Sequence, residues 1–196
     1  MISNKLFLLL IHIAIGIVLS KFYFLSTYYG IFIILLGTYF ILAKPDPLNL
    51  YPLQFSAYIV GLEVLLRMNR ATLFWEFGKY ALIYFLLLGI IRKRKKINIY
   101  FPIMVYFILL LPAIIYIPLD SMNSWRQSLA FNLSGPACLA LCANYFYNQR
   151  INQYMIGKII LFMILPIISM AIYNVITMPD LMARADLAIS AAGSTC

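Results

Sequence analysis

Apolar residues in this chain fall in long unbroken runs, and the polar residues are gathered into short breaks between them. Stretches such as 31–36 and 107–111 do not alternate in polarity, so they do not read as barrel strands, in which lipid-facing and lumen-facing positions alternate. A helical run of about 17–25 apolar residues crosses the hydrocarbon core of a bilayer at about 1.5 Å per residue. The pattern divides into seven such spans, at 6–20, 22–43, 53–68, 71–91, 97–119, 129–147 and 159–176. Lys21 alone separates the short first span from the second, and the count falls to six if those two form one broken element. The expected fold is all-α, a polytopic transmembrane helical bundle over 1–176 followed by an extracytoplasmic tail at 177–196.

Charge gives the bundle a direction. Five adjacent cations, Arg92, Lys93, Arg94, Lys95 and Lys96, stand between two apolar runs. Short loops rich in Lys and Arg stay in the cytoplasm, which places this loop inside and, with seven spans, the N-terminus inside and the C-terminus outside. Cytoplasmic faces then carry nine cations and one acid, and outer faces six cations and five acids, as the positive-inside bias requires. The opposite orientation would reverse that bias. Tyr28, Tyr29, Tyr51, Trp75, Phe77, Tyr100, Trp125, Tyr145 and Tyr147 lie near span ends, where an aromatic belt at the membrane interface is expected.

Composition agrees. A chain that is 64% hydrophobic and 11% charged has too little polar surface to coat a soluble globule. Its formal charge of +9 sits mostly at span ends, so orientation and lipid head groups account for it without nucleic acid. Cys138 and Cys142, one helical turn apart in an apolar run, and Cys196 at the terminus make no disulfide framework. Lys5 and the following run have the outline of a signal peptide but lack a small-x-small cleavage site before Lys21, so the first span is expected to be retained.

Prolines at 112, 136 and 166 each remove a backbone donor within a span, and kinks are expected there. Around the second, Asn132-Leu133-Ser134-Gly135-Pro136 combines a breaker with two polar side chains, a composition that suits either a cavity lining or helix packing. The tail, from Met182-Ala183-Arg184 to Gly193-Ser194-Thr195-Cys196, is rich in small residues and reads as atypical or truncated.

Ionisable groups within a span cost about 2.5–3.5 kcal/mol each at its centre, so each needs a reason. Glu63 stands one turn before Arg67, an arrangement that serves as an ion pair easing insertion. Arg67, Arg70, Glu76 and Lys79 come from the end of one span and the start of the next, and Arg126 reaches the same outer face from another loop. Arginines gathered there can hold a phosphate or pyrophosphate bidentately while the acids orient them, or can simply anchor the spans. A buried neutral imidazole or a bond between helices accounts for His12. One His and scattered acids support no metal site, and no phosphate-binding glycine loop or nucleophile elbow occurs, so no cofactor is called for and no catalytic residue can be named.

The segment Ala57-Tyr58-Ile59-Val60-Gly61-Leu62-Glu63-Val64-Leu65-Leu66-Arg67-Met68, followed by Trp75-Glu76-Phe77-Gly78-Lys79-Tyr80, resembles the amino-terminal half of O-antigen ligase/polymerase-like membrane proteins, particularly those of Bacteroidota. Arg126-Gln127-Ser128-Leu129-Ala130-Phe131-Asn132-Leu133-Ser134-Gly135-Pro136 extends the likeness, which covers roughly residues 50–180. The resemblance implies a multi-pass protein of the bacterial inner membrane, a glycosyltransferase class that transfers polysaccharide from undecaprenyl pyrophosphate without metal or nucleotide. It implies Arg67, Arg70 and Arg126 as donor-binding positions, supported by Glu63, Glu76 and Lys79. The large extracytoplasmic loop that carries the family's catalysis has no counterpart here, so the expectation is a chain inactive alone. A non-enzymatic partner in envelope polysaccharide assembly and a small carrier or transporter are the alternatives.

Overall fold

A computed structural model describes residues 2–74, 76–93, 98–116, 122–147, 149 and 151–193. Seven α-helices follow one another: α1 (Ile2–Lys21), α2 (Leu25–Ala43), α3 (Tyr51–Met68), α4 (Phe77–Lys93), α5 (Phe101–Leu110), α6 (Met122–Tyr147) and α7 (Gln153–Gly193). No strand occurs among the described residues. Three helical segments, Leu25–Ala43, Trp125–Tyr147 and Gln153–Met178, are long and apolar enough to cross a membrane, while Leu6–Lys21 and Phe101–Leu110 are apolar but shorter.

α3 is the centre of the bundle. It packs against α2, α4 and α7, and buries Leu53, Phe55, Tyr58, Ile59, Leu62, Leu65 and Leu66. Enclosed by neighbours, it carries Gln54, Ser56, Glu63 and Arg67 and is absent from the strongly apolar helices. α1 packs against α7, its nearest helical neighbour, so the first two helices do not form the tight hairpin that their short link allows. Close approach needs glycine at Gly61, where a Cβ would lie 2.3 Å from the carbonyl oxygen of Met163. The α5–α6 pair joins the rest chiefly through α4.

α2 shows which solvent the surface suits. Its buried positions are Ser26, Gly30, Ile33, Gly37 and Ile41, whereas Tyr28, Ile31, Phe32, Leu35, Tyr39 and Leu42 are exposed. Ser26, Gly30 and Gly37 face inward with only two isoleucines, and most of the large apolar side chains named face outward, the arrangement by which helices approach closely in lipid. Such faces are compatible with membrane lipid and costly in water.

Several boundaries differ from the apolar runs. α4 begins at Phe77, leaving 71–76 as a connecting segment, and α6 begins seven residues before its apolar run, at Met122. α7 does not end at 176 but continues to Gly193, so the tail is helical up to that residue. Alanine, methionine and leucine, strong helix formers, dominate that extension. At Pro112 the α-helix gives way to a 3-10 turn, Leu111–Tyr116. There Leu111 N–H donates to Ile108 O, the carbonyl that a donor at position 112 would otherwise serve. α6 runs on through Pro136. Tyr145 is buried, and Tyr29 is partly buried against Tyr58, so neither belongs to an interfacial belt. Trp75, Arg94, Lys95, Lys96, Arg150 and Cys196 lie outside the described residues.

Inside the bundle His12 Nδ1 bonds to the carbonyl of Leu8 at 2.7 Å, and its Nε2 to Tyr58 Oη at 2.8 Å. Tyr58 Oη in turn bonds to Tyr29 Oη, which clasps α1, α2 and α3 together. Both ring nitrogens are thus engaged. His12 is a packing residue, as the bland reading of the sequence has it. Cys138 and Cys142 are half-buried and free.

Candidate functional site

The candidate residues gather at the end of the bundle where α3 turns into α4. α3 closes there in a Schellman motif: Ala71 N–H donates to Leu66 O and Arg70 N–H to Arg67 O, both at 3.0 Å. The motif needs one residue in the left-handed conformation, ordinarily glycine, and Arg70 occupies that place with φ of 51°. A non-glycine residue there costs about 1–2 kcal/mol. Asn69, beside it, is 2% exposed, and neither atom of its amide has a hydrogen-bond partner among the described residues. Thr72 N–H donates to Thr27 Oγ1 at 3.0 Å and ties the turn to the start of α2.

Two hollows open at this end. The smaller, of about 520 Å³, is lined by Glu63, Arg67, Arg70, Leu73, Phe74 and Phe77 among others. The larger, of about 690 Å³, is bordered by Phe74, Glu76, Tyr80, Arg126, Phe131 and Asn132, with further residues of the first turns of α6. Phe74 lines both. The structure therefore brings Arg67 and Arg70 to one chamber with Glu63, and Arg126 to a neighbouring chamber with Glu76.

Glu63 Oε1 accepts from Arg67 Nε at 3.1 Å and from Nη2 at 2.5 Å, the local pair that the four-residue spacing predicts. Glu76, expected as an arginine partner, lies within reach of the Arg67 charge and is bonded directly to Lys79 and Ser134. Lys79 Nζ lies 2.8 Å from Glu76 Oε2, Ser134 Oγ donates to the same oxygen at 2.5 Å, and Lys79 Nζ donates to Ser134 Oγ at 3.0 Å. Lys79 also lies 5.8 Å from the centre of the Phe131 ring. Glu76 precedes α4, and burial there would raise its pKa; the bonds from Lys79 and Ser134, with the charges of Lys79 and Arg67, outweigh burial and hold the carboxyl below its ordinary range. The carboxylate is thus ionised and pinned between α4 and α6.

Ser134 entered the sequence reading only as part of a polar stretch, and its partnership with Glu76, 58 residues away, has no local signal. Gly78 was also silent. A methyl group there would meet Glu63 Oε2 at 2.3 Å, so the missing side chain makes room for that carboxylate. Among the described residues no group of three or more His, Cys, Asp or Glu side chains is placed to hold a metal ion.

Comparison of the chain with family models, with curated proteins and with solved structures gives no match.

Proposed function

We propose that the chain is a multi-pass protein of a bacterial cytoplasmic membrane, with all seven helices crossing it, that binds the diphosphate of a lipid-linked glycan at the Arg70 end. Arg70 carries this reading: it holds a strained backbone position, and no hydrogen bond or ion pair to its guanidinium is found among the described residues, yet it lines an open hollow beside Arg67. Strain kept at one position is a reason to look for a use of that side chain. Planar guanidinium groups suit phosphate oxygens better than an ammonium does. Helices of 17–20 residues, as α1 to α4 are, have about the length a bilayer core requires.

The reading is one of binding, in keeping with a likeness to the amino-terminal half of the O-antigen ligase/polymerase-like proteins. His12 is committed to Leu8 and Tyr58, and the acids at the hollows are already paired, Glu63 with Arg67 and Glu76 with Lys79. A non-enzymatic role in envelope polysaccharide assembly draws support from α5, which buries none of its residues and leaves its sides to lipid or to a further protein.

The test is binding of a short prenyl diphosphate to the full chain in detergent. Arg67→Gln and Arg70→Gln should each weaken it about tenfold or more, and Arg126→Gln less, because Arg126 stands in the neighbouring chamber. Equal affinity in all three variants removes the reading.

A further inference from the structure

The edge of Arg67 best suited to grip an anion is already taken. Both Nε and Nη2 converge on one oxygen of Glu63, at 3.1 and 2.5 Å, and the two side chains are 44% and 24% exposed. The second carboxylate oxygen lies against α4 over Gly78, where an added Cβ would stand 2.3 Å from Oε2 and 2.7 Å from Cδ. Those atoms belong to the far end of the Glu63 side chain, and the three nearest neighbours of such a Cβ are all Glu63 atoms. A slot for a carboxylate has therefore been left in the first turn of α4.

We propose that Glu63 is an internal occupant of the phosphate site, a carboxylate that an incoming phosphate must displace from Arg67, and that Gly78 is the slot which keeps it there. This rests on the reading of Arg67 and Arg70 as phosphate ligands. Tethered to α3 one turn before Arg67, Glu63 satisfies that arginine alone. A phosphate has terminal oxygens enough to engage Arg67 and Arg70 together, so exchange replaces one guanidinium partner with two. A carboxylate left beside a bound phosphate would repel it, and the exchange therefore needs Glu63 to swing away. The shared ligand chemistry is a phosphate or diphosphate group, free or as part of a lipid head group.

Here the role of Glu63 can be told from that of an acid which merely orients the arginine, because the two have opposite signs. The full chain in detergent is titrated with inorganic pyrophosphate and with a short prenyl diphosphate. Glu63→Gln should tighten binding about tenfold, by removing a charged competitor. Gly78→Ala, which pushes the carboxylate out of its slot while keeping its charge, should tighten binding in the same direction. Tightening for both probes assigns the phosphate itself as the ligand; tightening for the prenyl compound alone assigns a lipid head group. Weaker binding in Glu63→Gln, with Arg67→Gln also weak, overturns the proposal and leaves the phosphate reading standing. Unchanged affinity in Gly78→Ala beside a tightened Glu63→Gln overturns the slot. Binding that ignores Arg67→Gln and Arg70→Gln ends both.

Discussion

α3 is bracketed by two residues in the same unusual backbone conformation, Asn49 before it with φ of 49° and Arg70 after it with φ of 51°. They use it differently. Asn49 is buried; its Nδ2 donates to Tyr145 Oη at 2.6 Å and to Gly89 O at 3.3 Å, while Tyr145 Oη donates back to Asn49 O at 2.9 Å. That end is finished from within: Arg92 donates to the carbonyls of Ile41 and Lys44, and Asp46 Oδ2 accepts from Tyr51 N–H at 2.7 Å. At the other end Arg70 opens on a hollow, the Asn69 amide has no partner among the described residues, and Glu63 and Glu76 line cavities. One end closes the bundle with its polar groups, and the other holds polar groups ready at its surface.

The contrast is sharpest in what the substitutions should cost. Asn49→Ala removes the bonds to Tyr145 and Gly89 and leaves alanine in a left-handed position, and should destabilise the chain by about 3 kcal/mol. Thermal unfolding in detergent measures it, and a loss below about 1 kcal/mol would mean that this end is not fastened as described. Ser134→Ala at the opposite end takes one partner from a buried carboxylate and should cost about 1–2 kcal/mol.

The same variant has a pH signature. Glu76 is held below its ordinary value of 4.5, so its contribution is present in full above 4.5 and is lost as pH falls through the lower folded value. Without the Ser134 bond the folded value rises toward 4.5, so the window of acid loss narrows and less stability is lost across it. An acid limb that does not move in Ser134→Ala argues against the shared hydrogen bond.

Arg70→Gly should have the smallest effect on stability, within about 0.5 kcal/mol, because relief of the left-handed backbone is offset by the looser unfolded chain and by the lost cation at a helix C-terminus. Phosphate binding should nevertheless fall. A loss of stability above about 2 kcal/mol would make Arg70 a structural residue like Asn49 and erase the difference between the two ends.

What the sequence makes legible follows distance along the chain. Seven apolar runs foretell seven helices because backbone hydrogen bonds within a helix are local. Glu63 and Arg67 are legible as a pair for the same reason, four residues being one turn. Tyr145 reads as an interfacial aromatic because its run ends there, but its partner Asn49 lies 96 residues back and leaves no mark on the periodicity. Glu76 looks like a companion for nearby arginines until Ser134 arrives from α6. α3, legible as the run 53–68, is not among the strongly apolar helices because, enclosed by neighbours, it can carry amide, hydroxyl and charged groups that a lipid-facing helix would have to exclude. The extension of α7 past 176 was hidden by the change from apolar to small residues, a change that ends contact with a hydrocarbon core without ending a helix.

Because α7 follows the other six helices in the chain and packs against both α1 and α3, the middle of the bundle cannot close until α7 has been made. Until the residues from 153 onward are present, the buried face of α3 lacks one of its three main neighbours. The α1–α3 pairing through His12 and Tyr58 is thus a provisional staple until α7 packs over both helices.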